Sequence, residues 1–585
     1  MNKNFADDAL RGLLGRRVPA WARYALVLLA TAVFAVFAYH ARYAKIDEFT
    51  GFRAEELIRF TTVVLAALYA LTAAVALHIG RRLNFGAQAL FCVVIGAILL
   101  AKVSLFDYVS DDYDIFLSGW IYSYSQMGIK EGLGSYIGSD YTPPYLYLLL
   151  LISRVKNYPW QYLVKIVSLA FEALMAYAVA KLAGLKVRGD AGCAVLFCLT
   201  LMLPTVVFNG AYWGQCDVIY TSLCLLALYH ALQKRSAWSM VLFGMALSFK
   251  LQTVFFLPTL LPLWLRKDIK LRHLVLIPAA YMAMMIPAFW GGKSLHHVLT
   301  VYLAQAGGYN GISINGPSLY NLLPSTMDNG MLYDLFGSMA MALGLAMMVV
   351  VCLMLCLNRT HITREGTLLA CLLVLGGVPF FLPKMHERYT FGADVLALVI
   401  AAYRPKRMAL PLLFFPFSVL GALSGLLMPE ITRANTKGDT AAMRRLIFTM
   451  LRMTGAFSLA AGAGFVLLGA PLAGFIYQDA KVGRYVQLLG FVAPFMYLES
   501  MVDGVLKGLG EQLATFRYSL FDSVFRIAAI WLVVPQYGMM GFLGVMAVSN
   551  LMTCGLNMRR MMKQIKKPSP EGEGGRGIVR GRMRG

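Results

Sequence analysis

The sequence predicts an all-α polytopic membrane protein, and three observations predict it. Of 585 residues, 59% are hydrophobic and 14% charged, with a mean hydropathy of +0.64. Soluble proteins carry about 45–50% apolar and roughly 25% charged residues. Apolar runs long enough to cross a bilayer, about 20 residues each, recur from end to end. Basic residues exceed acidic ones, 53 − 30 = +23, and fall mostly in short loops between those runs, the distribution of the positive-inside rule. These features exclude a soluble enzyme and a disordered chain, and they assign the basic excess to topology rather than to nucleic acid.

Taken in order, Met1 to Trp21 is polar, with Arg11, Arg16 and Arg17, and precedes the apolar run Tyr24 to Tyr39. With no small-residue cleavage site, this reads as a retained signal anchor whose amino terminus is cytosolic. Span one ends near Arg42, span two (about Thr61 to Ile79) returns to Arg81 and Arg82, and span three (about Ala87 to Val103) goes out again. The acidic loop from Phe106-Asp107 through Asp114 is then external. Gln233-Lys234-Arg235, Arg266-Lys267, Arg359 to Arg364 and Tyr403 to Arg407 read as cytosolic. That places three further polar patches outside, at Asn209 to Asp217, Gly291 to Gly330 and Pro383 to Asp394. Tyr145 to Ile152 is short enough to be interfacial or re-entrant. The expected location is the inner membrane of a bacterial-type cell, with both termini cytosolic.

Lys250 lies midway along the apolar stretch Val241 to Leu265. A lone Lys at membrane depth costs about 2.5–3.5 kcal/mol. The chain is therefore expected to turn near Ser248-Phe249-Lys250 and bring Lys250 to the external face. The nine Cys show no CxxC pair and all but Cys216 sit in apolar stretches, where they act as small hydrophobes.

Four clusters carry chemistry. Asp111, Asp112 and Asp114 can supply a general base or hold a hard cation; helical spacing puts Asp111 and Asp114 on one face with Asp112 turned away. Asp140-Tyr141-Thr142-Pro143-Pro144-Tyr145 is a candidate substrate loop whose paired prolines fix an extended turn. Trp213, Gln215 and Asp217 suit a sugar, with stacking from the indole and a bidentate amide. His386, Glu387, Arg388 and Tyr389 form the densest external titratable cluster, with His and Arg as cations for a phosphate; a Glu387–Arg388 loop ion pair is the plainer reading. A metal, if used, would sit on Asp111, Asp112 and Asp114.

Asp112-Tyr113 with Phe116-Leu117 and Trp120, then "DYTPPYLYLL", "NGAYWGQCDVIY", "SFKLQTVFFLPTLL" and "LPKMHERYTFGADVLAL", resemble the bacterial GT-C membrane glycosyltransferases of the mannosyltransferase type. The resemblance covers about Ala22 to Arg407. It implies a multi-helix membrane enzyme with an external active site, transferring a sugar from a polyprenyl-phosphate carrier to a glycan, lipid or protein acceptor in cell-envelope glycan synthesis. It also implies an acidic residue of the first large external loop as base or metal ligand, which Asp112 matches best, with Asp111 and Asp114 close by. Arg388, His386 and Lys250 would then stabilise the departing lipid phosphate. A divalent cation is a possible cofactor, and the absence of a nucleotide-binding glycine fingerprint agrees with a lipid-linked donor.

From about Phe415 the character changes. "FFPFSVLGALSGLLMPEITRANTKGDTAAMRRLI" and "LLGFVAPFMYLESMVDGVLKGLGEQLATFRYSL" resemble the carboxy-terminal portion of stage V sporulation protein B-like flippases of the multidrug/oligosaccharidyl-lipid/polysaccharide (MOP) exporter superfamily. Only about five spans follow, so at most one lobe of such a transporter is present. The expected organisation is a cytosolic segment 1–21, a GT-C-like domain 22–412, a partial flippase lobe 413–567 and a disordered basic tail 568–585. Tyr403 to Arg407 and Arg433 to Arg445 are both basic, yet the single run Met408 to Met428 separates them; this parity fault places a fusion seam near 408–415. The alternatives to an enzyme are a flippase for lipid-linked oligosaccharide, or a chimera with only the enzyme half active.

Overall fold

The computed structural model describes residues 19–41, 54–156, 158–187, 189–307, 331–357, 362–404, 431, 440–477 and 480–565. The expected seam at 408–415, the run Met408 to Met428, Arg433 to Lys437, most of the amino-terminal segment, residues 308–330 and the tail 568–585 lie outside them. The regular elements among the described residues are helices, and eight of these are long and apolar enough to cross a bilayer. The chain divides into two compact units, 1–318 with 334–419, and 319–333 with 420–585.

In the first unit, α1 (Ala20–His40), α2 (Ala54–Ile79) and α3 (Phe85–Val103) correspond to the three expected spans. Phe34 stacks on Tyr69 at 4.4 Å, and the Tyr69 hydroxyl donates to the Cys92 carbonyl at 2.9 Å, tying the three helices together. After the acidic loop come α4 (Ser118–Ser125), α5 (Ile129–Gly134) and α6 (Pro143–Ile152). The paired prolines do not form the expected extended turn. Pro143 and Pro144 are the first residues of α6 after an extended Thr142, because proline's fixed φ suits a helix start whose N–H groups have no partner anyway.

The core is built on α7 (Trp160–Ala183), which packs against α9 (Asp217–Leu232) and α2. Helix α8 (Asp190–Met202) continues past Pro204 through a 49° bend into a π-helical turn, Val207–Tyr212. The stretch containing Lys250 does break as expected. Helix α10 (Ser236–Phe249) stops, Lys250 is extended, and a 3-10 segment (Leu251–Thr259) leads to α11 (Leu260–Leu265). Helices α12 (Leu276–Met284), α13 (Leu295–Gly307), α14 (Met331–Leu357) and α15 (Arg364–Phe381) precede α16 (Phe391–Tyr403). Almost every residue of α9 and of α16 is buried. Helices apolar on all sides belong in the middle of a bundle, and the ends of these two carry the polar groups described next.

The second unit contains α17 (Thr440–Tyr477), α18 (Ala480–Gly508) and α19 (Gln512–Ile565). Helices α17 and α18 run antiparallel, with Gly462 against Gly490 and the Gln487 amide donating to the Val466 carbonyl at 3.0 Å. Helix α19 is kinked at Gly538, whose φ of 54° takes it out of the helical region. Asp522, Arg526 and Ser549 interact across that kink, with Arg526 Nε 2.7 Å from the Asp522 carboxylate.

Candidate functional site

Three segments from separate parts of the first unit meet around two carboxylates. The first is the acidic loop. Residues Asp111 and Asp112 open a helix that widens into a π-helical turn, Tyr113–Leu117, before α4. A π turn holds more residues than an α turn and recurs at functional sites. Asp112 reaches both of the other segments. It accepts from the Gln215 amide and from Arg388 Nη1 at 3.2 Å. Asp114 is exposed. Among the described residues no three His, Cys, Asp or Glu side chains converge on a common point, so Asp111, Asp112 and Asp114 do not form a three-ligand set.

The second segment follows the π turn at Val207–Tyr212. Gly214, at φ +74°, reverses the chain there, a backbone conformation that glycine adopts without steric cost. The reversal delivers Trp213, Gln215 and Asp217 to one place. Asp217 begins α9, where the helix dipole favours a carboxylate, and it is fully buried. It accepts from Lys250 Nζ at 2.6 Å and from the Asn209 amide at 2.9 Å, with Arg388 Nε at 4.0 Å. Lys250 thus lies beside the other patches as a partner of Asp217. Asn209 opens both the patch Asn209 to Asp217 and the motif "NGAYWGQCDVIY", eight residues before Asp217, but nothing in the sequence assigned its amide a role.

The third segment is His386 to Tyr389, where His386 precedes the 3-10 turn Glu387–Thr390 that leads into α16. Arg388 lies over the Trp213 ring at 5.7 Å while bridging towards Asp112 and Asp217. Its carboxylate partners come from other segments, and the Glu387 side chain lies outside the described residues. His386 is a correction to the expected cation. Burial, followed by the charges of Arg388 and Lys250, lowers its pKa to about 2, so the imidazole is neutral across the physiological range. It meets Tyr389 edge to face at 5.2 Å.

The candidate substrate loop completes the surround. The Tyr141 ring lies 5.8 Å from Lys250 Nζ and 4.8 Å from Tyr145, and burial holds its hydroxyl well above the ordinary value. The Thr142 hydroxyl donates to the Ser248 carbonyl at 2.6 Å, fixing the loop to the end of α10. Of the patch Gly291 to Gly330, only 291–307 is described, and Gly291 packs backbone to backbone on Gly134.

No family model and no curated protein matches the chain. Solved structures do. It is similar to a mutant of the Vibrio cholerae MATE transporter VcmN at 13% identity and a TM-score of 0.26, over 92% of this chain and 98% of that one. A MATE structure in the bent conformation matches at 12% identity and 0.26, over 97% and 96%. An inward-facing multidrug resistance MATE family transporter of the MOP superfamily matches at 13% and 0.25, over 86% and 98%. At such TM-scores the likeness does not reach a common fold.

Proposed function

We propose that the first unit is a membrane-embedded glycosyltransferase, moving a sugar from a polyprenyl-phosphate donor to a hydroxyl acceptor at the external face. The observation that carries this reading is Asp112. It is a carboxylate 31% exposed, held by an amide and a guanidinium, beside a second carboxylate that is fully buried. Two carboxylates in such unlike surroundings have different tasks. Asp217 neutralises Lys250 and orients Asn209. Asp112 keeps an open side from which it can take the acceptor's proton as the hydroxyl oxygen attacks the anomeric carbon. The bond to the lipid phosphate breaks in the same step, and the developing phosphate charge falls near Arg388.

The test is Asp112→Asn, assayed in membranes for sugar transfer from a polyprenyl-phosphate-linked donor. Loss of a general base costs about 10²–10⁴-fold in rate, so kcat should fall by at least 100-fold with the donor KM little changed. Unchanged turnover removes Asp112 from the mechanism, and a silent wild type removes the enzyme reading.

A second reading is transport of a lipid-linked oligosaccharide. It draws on the carboxy-terminal resemblance and on Asp522, Arg526 and Ser549, a polar cluster within apolar helices, since ionisable residues at membrane depth mark functional sites. Movement of a fluorescent lipid-linked saccharide across proteoliposomes, lost in Arg526→Met, would favour it.

A further inference from the structure

The site is assembled from non-repetitive segments, and such segments hold a geometry only when something rigid fixes them. Helix α7 contributes no residue to the carboxylate network, yet it touches every strand of chain leading to Asp112 and Gln215. Lys165, Ser168 and Glu172 recur at i, i+3 and i+7, which places them on one face. All three are buried, at 3%, 2% and 1% exposure.

Lys165 Nζ donates to the carbonyls of Leu105, Phe106 and Tyr108 at 3.2, 3.0 and 2.7 Å. An ammonium has three donors, and here three carbonyls take them. These carbonyls belong to the turn between α3 and Asp112. One turn along, the Ser168 hydroxyl donates to the Gln215 carbonyl at 2.8 Å. A further turn along, Glu172 pairs with Lys102 of α3, and its other carboxylate oxygen lies only 2.1 Å from the point a Cβ on Gly210 would occupy. The Ser110 hydroxyl closes the frame by donating to the Trp213 carbonyl at 2.8 Å.

We infer that this face of α7 is a positioning strut: Lys165 and Ser168 set the spacing between Asp112 and Gln215 without touching substrate, and Glu172 seats the π turn that precedes Gln215. The kinetic part of the inference rests on the transferase reading; the structural part does not. Reacting groups must be held to well under 1 Å, since a misplacement of that size costs on the order of 100-fold in rate.

The test uses the full-length chain in nanodiscs, as Lys165→Met and Ser168→Ala. The first readout is backbone amide hydrogen exchange. Lys165→Met should speed exchange at least tenfold across 105–112 and 209–216, and Ser168→Ala across 209–216, with α9 and α16 unchanged. Wild-type exchange in both segments overturns the strut, and so does a rise spread over the whole first unit. The second readout is turnover: kcat should fall about 100-fold with the donor KM within twofold of wild type. On an Asp112→Asn background Ser168→Ala should cost nothing more, whereas a general folding defect would multiply through. Wild-type kcat in both variants of an active enzyme overturns the strut and leaves the transferase reading standing. If the wild type transfers no sugar, that reading falls and hydrogen exchange alone decides the strut. Should Lys165→Met fail to fold, Ser168→Ala carries the test, since it removes one hydroxyl and adds no bulk.

Discussion

Asp112 and Asp217 are the same residue type within reach of the same arginine, and their surroundings separate them. Asp217 has no exposure and is saturated by Lys250 and Asn209. Removing one partner of such a buried pair costs about 3–5 kcal/mol, so Lys250→Met should lower the thermal midpoint sharply, whereas Asp112→Asn should leave it near wild type. Differential scanning fluorimetry of the purified variants checks the contrast. His386 gives a pH signature. Its folded pKa, about 2, lies below the unfolded value of 6.5, so below pH 6.5 the unfolded chain takes up a proton that the folded chain refuses. Its contribution to stability therefore falls as pH drops from 6.5 towards 2. His386→Gln should flatten the melting temperature between pH 7 and pH 5; an equal slope in both proteins would exclude His386 as the source. Little of this was legible in sequence. Three aspartates in four residues could not rank themselves, and the neutrality of His386 depends on burial and on two cations that arrive from distant segments.

Spans were legible because a bilayer imposes length and hydropathy on each helix by itself; α1 and α3 start and stop close to the apolar runs that announce them, while α2 starts seven residues before its run, at Ala54. The break at Lys250 was legible for the same reason: a charge in an apolar run must reach something polar. The two π turns were not legible. Both immediately adjoin the site, at Tyr113–Leu117 and Val207–Tyr212, and composition is blind to the one extra residue per turn that aims Asp112 and Asn209. Gly210 shows how tightly the second is seated. Its missing Cβ leaves room for the Glu172 carboxylate, so Gly210→Ala displaces that carboxylate from its place beside Lys102. The expected outcome is a loss of about 1–3 kcal/mol, the usual cost of overpacking. Chemical denaturation of the variant measures it, and a neutral result would mean that Glu172 can turn aside.

At the scale of the molecule, the charge distribution and the packing describe the same arrangement from opposite ends. The basic loops predict sidedness, and the carboxylate network gathers most of the segments that this rule sends outside. Reporter fusions follow directly. An alkaline phosphatase joined after Gly138 should be active, one joined after Lys267 should be silent, and green fluorescent protein should give the reverse. Any other pattern would invert the orientation. The change in sequence character near Phe415 and the parity fault in the charges point to a seam that falls outside the described residues.

The network around Asp112 has one more consequence. Asp112 and Asp217 carry two negative charges, and Lys250 and Arg388 carry two positive ones, while His386 adds none. These four charges therefore balance one another at rest. A phosphate coming from bulk water would have to compete with carboxylates already in place, so free phosphate should be a poor ligand even at millimolar concentration. A donor tethered to a lipid faces different odds. Confinement to the membrane plane raises its local concentration without any new contact, and on the reading proposed here the bilayer, more than an excess of positive charge, selects which phosphate reaches Arg388.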